Sequence, residues 1–333
     1  MNTTQPGWYR SLAVMILATA GILTTIATGG GGGGDGDGGT NGGPTLAITA
    51  QNGETVSSAV MTGVLAMFDL TEATEGPLLA PTAGSIPVLQ KIGAMPLAYS
   101  EVPVAGTAPC AVSGTIAITG DLADPTTLSV GDTLTAVFDN CDDQDGFLIN
   151  GELGMTVTAI DGDPFSDVFL LALDLLLTDL TVTADGESIV GNGDLSYTLD
   201  TLDFPAILSA LSGIELSIAA GSETITFRNF DQTLAVDRGI VPTSYAAEFI
   251  GGLHSTALGG SVDYETVVTI QASGDDNPPY TGEVLITGRE NSTVRIVIVS
   301  EQVVRLEIDV DGNGVVDEFI DTTWAALLGE TTG

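Results

Sequence analysis

The stretch Thr133-Leu-Thr-Ala-Val-Phe-Asp139 puts its leucine, alanine and phenylalanine on one side of an extended chain and its hydroxyl and carboxylate groups on the other. The same alternation returns in residues 294–298 and in residues 303–309. A period of two is typical of antiparallel strands that have one buried face and one solvated face. These segments therefore predict an all-β fold.

Clusters of Gly, Asp, Asn and Pro interrupt the apolar segments at short intervals, which favours hairpins over helical crossovers. Roughly a dozen strands are expected between residues 113 and 325. They would form a long, twisted antiparallel meander, curled or barrel-like so that its edges are protected. The predicted turns are Asp145-Gly146, Asn150-Gly151, Asp161-Gly-Asp163-Pro164, Asp185-Gly186, Gly191-Asn-Gly193, Gly274-Asp-Asp-Asn-Pro-Pro279 and Asp311-Gly-Asn-Gly314.

Helical spacing occurs in two segments. Apolar residues recur from residue 54 to residue 70, and Asn52 is placed to cap that helix. A second, short helix is expected near residues 204–213, with Pro205 in its first turn. Residues 168–177 are nearly all apolar, which favours a strand buried on both faces, with a leucine-rich helix as the alternative.

The N-terminal region has the pattern of an export signal. An apolar run at residues 12–26 follows Arg10 and leads into polyglycine at residues 29–34. Cleavage after Ala27 is expected; the alternative is an uncleaved anchor, which would be the chain's only membrane contact. The predicted organisation is a leader (1–28), a Gly-rich linker (29–45), a helix with an irregular cover containing a weak helix near 86–92 (46–109), an antiparallel β domain (110–328) and a tail (329–333).

At this junction the chain resembles bacterial exported lipoproteins, in which a cysteine precedes a polyglycine tract. Thr28 occupies the matching position, so there is no thiol to acylate. Residues 280–324, which end in Trp324, resemble the closing meander of uncharacterised exported bacterial proteins with a polyglycine leader and a Cys-Cys β region. The resemblance implies a β fold and a location in the periplasm, the outer envelope or the medium, and it implies no activity.

The chain is strongly acidic, with 44 Asp and Glu against 7 Lys and Arg and a net charge of −37. Such a surface repels phosphate backbones and anionic lipid headgroups, which excludes nucleic acid as a partner and polybasic docking to membranes. Calcium loading, a high-salt habitat and simple solubility each account for the charge.

The two cysteines, Cys110 and Cys141, are separated by 31 positions. An exported chain with no third thiol is expected to join them in a disulfide. A zinc site would need more ligands than these two thiols and the single His254 supply.

The strongest motif is Asp309-Val-Asp311-Gly-Asn313-Gly-Val315-Val-Asp317-Glu318. Oxygen side chains at positions 1, 3, 5 and 9, a glycine at 6 and a backbone carbonyl at 7 match the first part of an EF-hand or dockerin-type calcium loop. Position 12 departs from it, because Ile320 replaces the bidentate glutamate, for which Glu318 or Asp321 would have to substitute. A plain hairpin with Asn313-Gly314 in a type I′ turn is the alternative. The candidate metal ligands are Asp309, Asp311, Asn313, Val315 and Asp317.

The remaining motifs are weaker. We interpret the acidic clusters at 139–145 and 161–167 as solvated hairpin tips, with a shared cation as the alternative. We interpret His254, next to Ser255, as structural, with a Ser-His-Asp site as the alternative. Asn291-Ser-Thr293 fits the N-glycosylation acceptor by pattern alone, and in a bacterial-type chain we interpret the match as chance. No catalytic set, phosphate-binding loop or cofactor motif other than the candidate calcium loop is recognised.

These observations favour an exported, non-enzymatic β-sheet protein of the bacterial cell envelope, with a structural role or a binding role toward an envelope or extracellular partner. The alternative is a periplasmic carrier that holds a lipid or other apolar ligand, suggested by the apolar residues of 168–180 and 204–211. A carboxylate-dependent hydrolase is a remote third hypothesis.

Overall fold

The computed structural model describes residues 43–79, 104–124, 127–142, 148–164, 166–184, 187–274 and 277–328. It contains a 14-stranded antiparallel sheet in which every strand lies beside its sequence neighbours. The elements are α1 (Gly53–Leu79), β1 (Val104–Pro109), β2 (Ser113–Asp121), β3 (Thr133–Asp142), β4 (Leu148–Gly162), β5 (Phe169–Ala184), β6 (Glu187–Asp200), β7 (Ala206–Ala220), β8 (Glu223–Asp237), β9 (Ser244–Ser255), β10 (Gly260–Ser273), β11 (Thr281–Thr287), a tight turn (Arg289–Asn291), β12 (Thr293–Ile298), β13 (Val304–Asp309), β14 (Glu318–Thr322) and α2 (Trp324–Leu327).

The all-β fold and the long meander are therefore confirmed. Strands β1 and β14 stand at the two ends of the strand order and do not pair with each other, so the sheet is not closed and the barrel-like form of the prediction is wrong. Neither helix has the length and apolar character needed to cross a membrane within the described residues. The weak helix expected near 86–92 lies outside those residues.

The described chain divides into two compact units. Unit 1 comprises residues 43–67, 222–230 and 240–328, and unit 2 comprises residues 68–221 and 231–239, apart from the gaps given above. Strand β1 belongs to unit 2 and occupies part of the segment expected to be an irregular cover, so that expectation is wrong for residues 104–109.

The core of unit 2 follows the predicted alternation. In β3, Leu134, Ala136 and Phe138 are buried, as expected from the sequence. Strand β5 confirms the strand interpretation of residues 168–177, but it is buried on one face only: its odd-numbered leucines are inside, while Asp174 and Leu176 face solvent. The apolar run thus exceeds what the buried face of the strand requires.

Two predicted turns lie inside strands. Asn150-Gly151 is in β4 and Asn192-Gly193 is in β6. Each asparagine accepts a hydrogen bond from the backbone N–H of a left-handed bulge residue on the preceding strand, Asn150 from Asn140 at 2.8 Å and Asn192 from Asp179 at 2.7 Å. Both positions need the glycine that follows. A Cβ on Gly151 would collide with the backbone of Asp179, and a Cβ on Gly193 would collide with the backbone of Glu215. These Asn-Gly pairs therefore support bulges in long strands, not chain reversals.

The short helix expected near residues 204–213 is also wrong. Phe204 and Pro205 lie in the turn after β6, and the chain then continues as β7. Backbone pairing with β6, for example Leu199 with Ser209 and Tyr197 with Leu211, overrides the local helical spacing. That spacing arises because Ile207 and Leu208 place apolar side chains on both faces of a strand.

Unit 1 contains the start of α1 and the C-terminal meander. Helix α1 buries Val56, Val60 and Val64 and confirms the predicted apolar stripe over the residues whose side chains are described. Asn52 does not cap it as expected: its side chain reaches back, accepting from Thr49 N–H at 2.7 Å and donating to the Ala47 carbonyl at 3.0 Å. Those bonds fix the segment that precedes the helix.

Residues 45–49, which we call the strap, attach this segment to the sheet. Thr45 N–H bonds to the Ser261 carbonyl at 3.0 Å, and Ile48 N–H bonds to Ser292 Oγ at 2.8 Å. The predicted closing meander is also present, since β11 to β14 are followed by α2, whose Trp324 and Leu327 are buried. Together these contacts position the loop between β13 and β14.

Candidate metal-binding loop

The acidic motif forms the connection between β13 and β14, so the predicted strands on both sides are confirmed. Its base is closed by a hydrogen bond from Asp317 N–H to the Ile308 carbonyl at 2.7 Å and by one from Val310 N–H to Asp317 Oδ2 at 2.9 Å. Ile308 is fully buried and lies against Gly53 at the start of α1. The loop therefore projects from a rigid, well-packed base.

Asp309 organises the inside of the loop. The residue is 6% exposed. Oδ1 accepts from the N–H groups of Gly312 at 2.9 Å and Asn313 at 3.3 Å, and Oδ2 accepts from Gly314 N–H at 2.7 Å. Hydrogen bonds to an ionised acceptor are stronger than neutral ones, so this single side chain holds the loop closed around itself.

Two glycines allow this path. Gly312 and Gly314 adopt φ values of +68° and +83°, whereas Asn313 is not among the residues with positive φ. A type I′ turn needs positive φ at both central residues, so the turn expected at Asn313-Gly314 is wrong. Gly312 also packs against the carbonyls of Glu290 and Asn291, at 2.7 and 2.8 Å from the position a Cβ would take.

Three carboxylates converge in this loop. One oxygen each from Asp309, Asp311 and Asp317 lie within 4.8 Å of one another, and no other such group is found in the described part of the chain. Asp309 is buried, whereas Asp311 and Asp317 are exposed. Like charges this close repel, and a bound cation would convert that repulsion into attraction. The arrangement can hold a metal ion.

The other candidate ligands are placed less favourably. Asn313 Oδ1 accepts from Val315 N–H at 2.7 Å, so the asparagine also supports the loop itself. Ile320 pairs with Leu306 in the sheet and offers no oxygen side chain. Of its two possible substitutes, Asp321 is bound to Arg305 and Glu318 is not in the carboxylate group. The three aspartates are thus the core of the site.

Asp321 belongs to an ion pair on the exposed surface. Its two oxygens accept from Arg305 Nε at 2.7 Å and from an Arg305 terminal nitrogen at 3.2 Å. This hydrogen bond lowers the pKa of the Asp321 carboxyl and raises the pKa of the Arg305 guanidinium. The pair keeps Asp321 away from the role of twelfth-position ligand.

The disulfide between Cys110 and Cys141 is confirmed, with Cα atoms 5.4 Å apart. It joins the residue after β1 to β3. The described residues of the other acidic clusters form no metal site: Asp139 accepts from Asn140 Nδ2 at 2.8 Å, and Asp161, Asp163 and Asp167 are exposed. Asp142 lies at the end of β3, and Asp143 and Asp145 lie outside the described residues.

His254 and Ser255 are neighbours on β9, so their side chains point to opposite faces of the strand. Ser255 is fully buried; its hydroxyl donates to Glu223 Oε1 at 3.0 Å and accepts from Leu258 N–H at 3.2 Å. The serine therefore supports the turn after β9, and these two residues do not form a nucleophile–base pair.

The apolar residues that suggested a carrier divide into a buried set in the core of unit 2 and an exposed set that includes Leu176, Phe204 and Leu208. Leu171, Leu173, Leu175 and Leu177 on β5 are at most 4% exposed. Burial within the protein accounts for these four leucines but not for the exposed set, and the carrier stays a prediction.

One important residue had no signal in the sequence. Asp132 is 3% exposed and accepts from Ala123 N–H at 2.8 Å and from Ser129 N–H at 2.7 Å. It closes the loop between β2 and β3 as Asp309 closes the loop between β13 and β14. Its sequence context, Val130-Gly-Asp132, is not distinguishable from an ordinary exposed turn.

Comparison with protein-family models, with curated proteins and with solved structures finds no match to this chain.

Proposed function

We propose that this chain is an exported, non-enzymatic β-sheet protein of the cell envelope whose C-terminal meander is stabilised by calcium. Its role is structural, or is binding to an envelope or extracellular component. The observation that carries the proposal is the convergence of Asp309, Asp311 and Asp317 in a loop that is folded around the first of them.

Calcium suits this loop better than other common cations. Every candidate ligand is oxygen, which excludes the sulfur and imidazole sites that zinc prefers. Calcium tolerates irregular coordination completed by carbonyls and water, whereas magnesium demands near-ideal octahedral geometry. The loss of the bidentate twelfth ligand predicts an affinity in the weaker range used by extracellular modules, about 10⁻⁴ to 10⁻³ M.

The decisive experiment is a calcium titration of the purified protein, followed by calorimetry and thermal unfolding. Binding to the folded state alone raises its stability by about 2.7 kcal/mol when free calcium reaches 100 times Kd. We expect Asp311→Asn to abolish this rise while leaving the calcium-free Tm nearly unchanged, because Asp311 is exposed.

Asp167→Asn is the matched control. It removes the same charge from another exposed acidic segment, in the turn between β4 and β5. It should retain the full calcium response. If wild type and Asp311→Asn respond equally to calcium, the loop is not the binding site and this part of the proposal fails.

Export is supported by the N-terminal apolar run with its polyglycine tract and by the disulfide between Cys110 and Cys141. The test is the N-terminal sequence of protein recovered from the envelope fraction and from the medium of its own cells. We expect a mature chain that begins after Ala27. Recovery from the cytoplasm with both thiols free would contradict export without affecting the calcium result.

We propose a non-enzymatic role because neither Ser255 nor the three converging aspartates has the surroundings of a catalytic group. Ser255 is buried and engaged with Glu223, and the converging aspartates lie in a projecting loop. A calcium-dependent hydrolytic activity that disappears in Asp311→Asn would overturn the proposal in favour of the hydrolase.

A further inference from the structure

The turn between β11 and β12 presents an asparagine at its apex. Glu290 and Asn291 have φ values of +62° and +60°, and Ser292 N–H bonds to the Arg289 carbonyl at 3.2 Å. Positive φ at both central residues defines a type I′ hairpin turn. The side chains of both residues are exposed.

The side-chain amide of Asn291 makes no hydrogen bond to any described residue. Most other asparagines of the described chain are engaged. The engaged ones are Asn52, Asn140, Asn150, Asn192, Asn277 and Asn313. Only Asn229 shares with Asn291 an exposed, unengaged side chain and a left-handed backbone.

The residues after Asn291 distinguish it from Asn229. Asn291 is followed two positions later by Thr293, whereas Asn229 is followed by Asp231. An asparagine with Ser or Thr at the second following position, and no proline between, is the acceptor pattern for N-glycosylation. Asn2, in the predicted leader, begins the only other such triplet in the sequence.

The left-handed backbone explains why an asparagine is favoured at position 291, but it places no demand on residue 293. Thr293 lies on β12, is paired with Thr287 and Asp309, and is half-buried. No hydrogen bond of its hydroxyl is found with the described residues. The intervening Ser292 has a separate structural role, because its buried hydroxyl accepts from Ile48 N–H and donates to the Arg289 carbonyl at 2.9 Å.

We propose that Asn291 is an N-glycosylation site. The donor is a saccharide carried on a polyprenyl diphosphate, and the catalyst is a membrane oligosaccharyltransferase on the exported side. The amide nitrogen forms a bond to C1 of the saccharide, the bond from C1 to the phosphate oxygen breaks, the lipid diphosphate leaves, and the amide loses one proton. The inference rests on the proposed export and is independent of calcium.

The test uses full-length protein purified from its own cells. Trypsin cleaves after Arg289 and Arg295 and releases residues 290–295, which contain the complete triplet. We expect the mass of this peptide to exceed that of the bare sequence by the mass of a saccharide, with sugar-oxonium fragments on dissociation. A second protease covers the case in which the glycan blocks cleavage at Arg289.

Two variants separate modification from structure. Asn291→Gly keeps the left-handed turn and removes the acceptor, while Thr293→Val keeps the acceptor and the strand and removes the hydroxyl. Both should lose the added mass, and Asn229→Gly should keep it. Unmodified residues 290–295 in protein that is found outside the cytoplasm with its leader removed would overturn this inference alone, whereas a cytoplasmic protein with an intact leader would overturn export as well.

Discussion

The first three strands and the last three strands of the sheet are fixed by different means. The β1–β3 region is covalently closed by the bond between Cys110 and Cys141. The β12–β14 region contains no cysteine and depends on Asp309, whose carboxylate gathers three backbone N–H groups, and on the buried Trp324 and Leu327 that follow β14.

The difference lies in what each region responds to. A disulfide acts mainly by restricting the unfolded chain, so its effect follows the redox potential of the surroundings. A carboxylate loop acts in the folded state, so its effect is independent of redox potential and, under the proposed calcium binding, follows cation concentration. A reductant should therefore weaken the β1–β3 region and a chelator the β12–β14 region.

Loss of the disulfide should give the largest effect. The Cys110→Ser/Cys141→Ser double variant removes the closure of a loop of 31 residues, which on the chain-entropy model is worth about 3.5 kcal/mol. Urea unfolding of wild type, with and without reductant, measures it. Equal stability in both states would show that the covalent bond is not what fixes this region. Titration of free thiols in the native protein is the control, and none should be found.

Asp132→Ala should come second. The substitution leaves the N–H groups of Ala123 and Ser129 without their acceptor, and we expect a loss of about 2–3 kcal/mol. Asp121→Ala, at the exposed end of β2 where this loop begins, is the comparison variant. If both variants lose the same amount in urea unfolding, the buried carboxylate has no special role and the disulfide alone fixes the region.

Asp309→Asn, measured in chelator, should be weaker. The amide keeps one acceptor oxygen but turns a donor toward a backbone N–H, with an expected loss of about 1–2 kcal/mol even without a cation. Asp311→Asn should lose almost nothing in chelator. Equal stability of Asp309→Asn and wild type under these conditions would mean that the loop is held by its glycines and not by the carboxylate.

The smallest effect should come from the ion pair between Arg305 and Asp321. The hydrogen bond from Arg305 lowers the pKa of the Asp321 carboxyl in the folded state. As the pH falls, the unfolded state therefore binds more protons than the folded state. The contribution is present above the unfolded pKa of Asp321 and is lost as the pH falls through its folded pKa. Both groups are exposed, so a comparison of wild type with Asp321→Asn at pH 7 and at pH 3 should show only a slight shift in Tm. A large shift at pH 7 would contradict this ranking.

The alternation of apolar and polar residues is sufficient to predict most strands. Residues 133–139 and 303–309 have the required period, and β3 and β13 follow from it. The cysteine count and the expected export were enough to predict the disulfide, and the spacing of Asp309, Asp311 and Asp317 was enough to predict that they converge. These features depend on short-range geometry, which the sequence encodes directly.

The failures involve contacts between strands. Asn150-Gly151 reads as a turn locally, because only the neighbouring bulge at Asn140 explains the asparagine. Residues 206–214 have helical spacing, and only pairing with β6 makes them a strand. Asp132 is buried, but its neighbours in the sequence do not indicate this. In each case the deciding partner lies elsewhere in the chain, where no pattern in a short window can show it.

The strap also constrains the order of assembly. Nearly all pairing in the sheet joins consecutive strands, but Thr45, Ile48 and Glu54 find their partners 216, 244 and 268 residues further along. Synthesis runs from the N-terminus, so the strap and Glu54 are made long before Ser261, Ser292 and Thr322. The start of the domain therefore lacks these long-range partners until residues 261–322 have been made.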